Sequence, residues 1–180
     1  MTQVYETPAV LLRQIDLPEA DRIGVFYTYE YVKYPLLLKV IKKAQSKLNY
    51  CIRDGAWVDV EFIRGKQSSR LIAIHEVDLF ADLAWSTCLS DLQGFWLFFI
   101  DYMTEDEDRD IQLFHTLVDG LYYIRTYGEQ YPRIVKGWLI VRSMVLLGYG
   151  VDLTQCVISN CYRSRQFFLS IKYGGLVASE

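Results

Sequence analysis

The chain has 180 residues, a net charge of −3, and 52% hydrophobic against 23% charged residues. That length is ample for a real core in one medium domain or two small ones, and the composition excludes a disordered chain or a stapled mini-protein. The most apolar windows, 94–100 and 134–147, are too short or too interrupted by charge to make a membrane helix. No secretory pattern opens the sequence, and Cys51, Cys88, Cys156 and Cys161 have no paired spacing, so a cytoplasmic location with reduced thiols is expected.

In chain order, five short runs read as strands: Val10 to Leu12, Ile23 to Tyr29, Tyr34 to Ile41, Trp57 to Ile63 and Arg70 to Ile74. Five strands separated by turn signals suit a small barrel. From Asp82 onward the apolar period becomes helical. Leu83 to Met103 carries Leu92, Phe95, Phe99 and Met103 on one side, and Asp110 to Tyr127 aligns Leu113, Leu117, Leu121 and Ile124. Pro132 suits the first turn of a third helix that runs to Leu147, and Gly148 suits its stop. The expectation is an α+β chain of two small domains, a five-stranded β-barrel over 1–80 and an all-α C-terminal domain over 81–180.

Charge is segregated. Between Lys33 and Arg70 nine bases face three acids, whereas between Ala81 and Asp110 one base faces eight acids. A positive groove beside exposed aromatic rings tracks a phosphate backbone and stacks unpaired bases. Tyr27, Tyr29, Tyr31, Tyr34 and Tyr50 lie in or near the basic segment. The same residues also read as a solvated lysine loop and half-buried strand tyrosines.

Signals for bound metal or catalysis are weak. Cys156 and Cys161 would need two further ligands to hold zinc. His115 and Asp119, one helical turn apart, have the spacing of a metal or acid–base pair and equally that of a surface hydrogen bond. Asp106-Glu107-Asp108-Arg109-Asp110 begins like a calcium loop but lacks its glycine and its final glutamate, so it reads as an acidic helix start. No nucleophile elbow or phosphate-cradling glycine loop is present. A non-enzymatic protein without metal or cofactor is expected.

The order of motifs resembles the bacterial DNA repair protein RecO. Thr7-Pro8-Ala9-Val10-Leu11-Leu12 is similar to that family's first strand, and Glu19-Ala20-Asp21-Arg22 with Tyr27-Thr28 to its E-x-D-R and F-T signature. Lys39-Val40-Ile41-Lys42-Lys43-Ala44-Gln45-Ser46-Lys47-Leu48 resembles its basic segment. Leu139 to Tyr149 resembles its F-E-x-R-L-L-x-x-L-G-Y helix, and Gly174-Gly175 a later glycine pair. The resemblance is to a short member of the family. Val32 and Val40 stand at glycine positions, Ser159 replaces the second ligand of the four-cysteine zinc site that begins at Cys156 in many relatives, and 178–180 lacks the later pair.

The resemblance implies an N-terminal OB-fold, a helical C-terminal domain and a recombination mediator with no active site. It implies binding of single- and double-stranded DNA without sequence specificity, annealing of complementary strands, and cooperation with RecR. It also implies contact with the C-terminal tail of single-stranded DNA-binding protein, and through these RecA loading at the nucleoid. Expected phosphate contacts are Lys39, Lys42, Lys43 and Lys47, with Arg53, Arg64 and Lys66 on neighbouring strands. Arg125, Arg133 and Arg142 are candidates for meeting the acidic tail. The alternatives are a protein-interaction adaptor that has lost DNA binding, and a small enzyme centred on His115 or Cys156.

Overall fold

The computed structural model describes residues 3–18, 21–38, 52–65, 68–104, 110–150, 152–170 and 172–179. The chain packs as two compact units, Met1–Lys136 and Gly137–Glu180.

The first unit opens with β1 (Val4–Asp16), β2 (Arg22–Thr28), β3 (Val32–Leu38), β4 (Trp57–Ile63) and β5 (Ser69–Asp78). They close a barrel in the order β1-β2-β3-β5-β4. β1 pairs antiparallel with both β2 and β4, while β3 meets β5 in parallel at Leu36–Ser69 and Leu37–Arg70. This is the OB arrangement the resemblance implied.

The strand period decides what fills the barrel. In β4, Val58, Val60 and Phe62 are buried, while Trp57, Asp59, Glu61 and Ile63 between them are half-buried. The inward set joins Ala9, Leu11, Phe26, Leu36, Leu38 and Leu71 in one cluster, each large side chain contributing about 1.5–3 kcal/mol on burial. β1 departs from alternation, since Ala9, Val10, Leu11 and Leu12 are all buried. Its register shifts between Leu11 and Arg13, and Leu12 shares a groove with Leu97 and Phe98 of the first helix.

After a 3-10 turn at Ala81–Trp85 come α1 (Thr87–Met103), α2 (Ile111–Tyr127) and α3 (Pro132–Leu146). The single helix expected from Leu83 is broken at Ser86, whose backbone is extended and whose hydroxyl donates to Glu129 Oε2 at 2.5 Å. Fully buried Trp96 ties α1 to α2 by donating from Nε1 to the Leu117 carbonyl at 3.0 Å. The expected acidic start of α2 takes the form of an N-cap: the Asp110 carboxylate accepts from the Gln112 and Leu113 N–H groups at 2.8 and 3.0 Å.

Gly148 ends α3 with φ 79°. The Tyr149 N–H donates to the Met144 carbonyl at 2.8 Å and the Gly148 N–H to Val145 at 3.2 Å. This is the paired closure that a left-handed glycine makes available.

In the second unit, β6 (Asp152–Cys156), β7 (Phe167–Ser170) and β8 (Gly175–Ala178) form a sheet in the order β6-β8-β7. The α+β class and the barrel followed by three helices hold, but the all-α description of 81–180 does not extend past Leu146. Strands of four or five residues are too short to impose a period on the sequence. Backbone turns close them instead: the Cys156 N–H donates to the Cys161 carbonyl at 2.9 Å and the Asn160 N–H to the Cys156 carbonyl at 2.8 Å. Among the described residues no helix is long and apolar enough to cross a membrane.

Candidate nucleic-acid interface

One end of the barrel gathers an arginine over aromatic rings. Arg64 follows β4 directly, and its guanidinium carbon stands 4.6 Å from the Tyr5 ring centroid, 5.0 Å from Tyr31 and 5.7 Å from Tyr34. Phe62 is their shared floor. Tyr5, opposite it across the β1–β4 ladder, stacks on it at 5.5 Å, Tyr31 meets it edge-on at 5.6 Å and Tyr34 lies 5.0 Å away.

Arg64 is exposed, and among the described residues no carboxylate pairs with it. A guanidinium stacked on rings keeps its N–H edge free for a phosphate, and tyrosine rings accept any base face. The Tyr31 hydroxyl is pushed above its ordinary value, first by burial and then by its hydrogen bond to Glu30. It stays a neutral donor.

Beside the platform a cleft of about 420 Å³ is lined by Tyr34, Pro35, Gly65, Ser68 and Ser69, among others. The Tyr34 hydroxyl and Ser69 Oγ are 2.9 Å apart. A Cβ on Gly65 would lie 2.3 Å from the Ser68 carbonyl oxygen, so the position takes only glycine. Exposed Arg70 stands opposite Ile63 on β5, which brings a second guanidinium to this end of the ladder.

Of the expected phosphate contacts, Lys39, Lys42, Lys43, Lys47 and Lys66 lie outside the described residues. Arg53 and Arg64 are described and are not brought together. Arg53 sits in the turn before β4, half-buried beside Asp54, and the seven residues of β4 put roughly 20 Å between the two ends.

The aromatics divide as well. Tyr31 and Tyr34 join the platform, Tyr27 is fully buried, Tyr29 packs against Phe114 and His115, and Tyr50 lies outside the described residues. Tyr5, far from the basic segment in sequence, completes the platform. Only the strand register that sets it opposite Phe62 reveals it.

Two other charged candidates, Lys33 and Arg125, are absorbed by the fold. Lys33 donates from Nζ to the Asp101 and Thr104 carbonyls at 2.9 and 2.8 Å, closing the last turn of α1. Arg125 bonds Asp78 at 2.7 and 2.8 Å and Asp82 at 2.8 Å, and its guanidinium lies over Phe80. The Arg125 guanidinium holds the Asp78 carboxyl below its ordinary value, with the Phe80 N–H assisting. Arg133 and Arg142 are exposed on α3, and Asp106, Glu107 and Asp108 lie outside the described residues.

In the second unit, buried Cys156 accepts from the Ser159 and Ala178 N–H groups at 3.4 and 3.3 Å, and the Ser159 hydroxyl donates to Cys161 Sγ at 3.2 Å. The nearby Ser159 side chain, followed by the Ala178 and Ser159 N–H groups, brings the Cys156 thiol down to about 6. Among the described residues no three His, Cys, Asp or Glu side chains gather as a metal site.

Comparison with known proteins converges on one family. Residues 95–179 match the family model described as "Recombination protein O C terminal". The chain is 22% identical over 181 residues to the "DNA repair protein RecO" of Caldicellulosiruptor bescii, covering 99% of this chain and 72% of that one. It is 23% identical to that of Clostridium novyi, covering 98% and 69%. It is 28% identical to that of Pelodictyon phaeoclathratiforme, covering 87% and 60%.

Proposed function

Because the chain is a RecO relative along nearly its whole length, we propose that it acts in DNA repair and recombination by binding DNA at the Arg64 end of its barrel. The observation that carries this reading is Arg64 laid over Tyr5, Tyr31 and Tyr34. Arg64 supplies a phosphate contact, its guanidinium plane and the rings that hold it supply sequence-tolerant stacking, and Lys66, Lys39, Lys42, Lys43 and Lys47 add positive charge to the chain. None of these contacts reads a base edge, so binding is independent of sequence.

Annealing follows without a catalytic group. Partial neutralisation of two strands lowers their repulsion, and a weakly held complex lets complementary bases find each other. On this reading the protein is no enzyme and works at the nucleoid in the cytoplasm. Its partners are RecR and the tail of single-stranded DNA-binding protein, with RecA loaded indirectly.

The test is fluorescence-anisotropy binding to labelled single-stranded and duplex DNA across a salt series, with Arg64→Ala and a K42A/K43A variant alongside. Salt-steep binding weakened in both variants supports the reading. Absence of binding at low salt returns the adaptor alternative.

A further inference from the structure

Away from the Arg64 platform, the seam between the barrel and α2 holds a cleft of about 390 Å³. Tyr29, Trp57, Phe114 and Tyr122 line it with rings, and His115 and Asp119 line it from successive turns of α2. This is the size of a small-ligand site, walled by apolar surface with a few polar groups. Among the described residues that line it, Asp119 is the only carboxylate. Aromatic faces carry negative quadrupole potential, so rings and a carboxylate together favour a cation and disfavour phosphate.

The fold already uses this chemistry next door. Arg125 is held by the Asp78 and Asp82 carboxylates while its guanidinium carbon lies 4.3 Å from the Phe80 ring centroid and 5.6 Å from that of Tyr122. The cleft repeats that combination with Tyr122 as a shared wall and Asp119 as the acid. Among the described residues no lysine or arginine pairs with Asp119.

We propose that this cleft is a docking site for an arginine side chain presented by a protein partner. The planar guanidinium lies against the rings as Arg125 does against Phe80, and its N–H edge reaches Asp119. Arginine suits the site better than lysine because it stacks on rings and is the more weakly hydrated cation. The site serves protein contact, so it stands or falls independently of DNA binding at the barrel.

The test uses the full chain, isotope-labelled for NMR, titrated with an acetyl-Gly-Arg-Gly-amide peptide and with its citrulline counterpart, which keeps the shape and removes the charge. The arginine peptide is expected to shift the Trp57 indole and His115 resonances saturably in the millimolar range. The citrulline peptide should bind about fivefold more weakly, and Asp119→Asn should weaken the arginine peptide by about the same factor. Tyr29→Ala should weaken the arginine peptide while leaving the Trp96 indole resonance in place, which confirms that the unit stays folded. Equal binding of the two peptides would overturn the proposal in favour of a purely apolar groove. Resonances that do not move with the arginine peptide would also overturn it, as would tighter binding of an oligothymidylate at the same resonances, which would assign the cleft to a nucleobase.

Discussion

Lys33 and Asp101 are joined twice, the Lys33 ammonium group donating to the Asp101 carbonyl at 2.9 Å and standing 3.3 Å from Asp101 Oδ1. Arg13 reaches the other carboxylate oxygen at 2.6 Å, so Asp101 ties β1 and β3 to the end of α1. In the sequence Lys33 is simply the first base of a positive segment. In the structure it is a helix cap, 13% exposed at its side chain.

Lys33→Ala therefore costs stability and spares DNA binding. Loss of charge-assisted bonds to carbonyls at a helix end is worth about 2 kcal/mol. Urea unfolding should show that decrease, while the slope of DNA affinity against salt stays at the wild-type value.

The Asp78–Arg125 pair sets an acid limit. The Asp78 carboxyl is depressed below its ordinary 3.8 by the guanidinium, so the native state binds fewer protons than the unfolded chain. Its contribution is complete above that ordinary value and lost as pH falls through the native one. Asp78→Asn should lower stability by about 1 to 2 kcal/mol at neutral pH, and the variant and wild-type stability curves should converge in acid.

Gly148→Ala probes the end of α3. An L side chain at φ 79° is strained, and the cost is about 1 kcal/mol. Thermal unfolding should report it as a lowered Tm with no change in DNA affinity.

Arg64→Lys separates charge from stacking. Lysine keeps the charge and loses the planar group that covers three rings. The salt slope should hold while affinity for oligothymidylate falls about threefold.

Legibility in the sequence followed length and regularity. Trp57 to Ile63 was evident because its inward residues alternate over the whole strand, and α2 because Leu113, Leu117, Leu121 and Ile124 recur at helical spacing. β6, β7 and β8 were not, because four or five residues set no period. The charge count located a basic segment but could not separate Lys33, bonded to α1, from Arg64, stacked on tyrosines. Nor could it see that β4 sends Arg53 and Arg64 to opposite ends. Tyr31 and Tyr34 were in the aromatic set, while Tyr5 enters only through its pairing with Phe62, 57 positions further along the chain.

The most direct test of the DNA-binding account is the salt dependence of single-stranded DNA affinity for wild type and Arg64→Ala, measured by fluorescence anisotropy. DNA binding through Arg64 requires steep salt dependence in the wild type, and in the variant weaker binding with a logarithmic slope reduced by about 0.7. An Arg64→Ala protein that matches the wild type in both affinity and slope would contradict it.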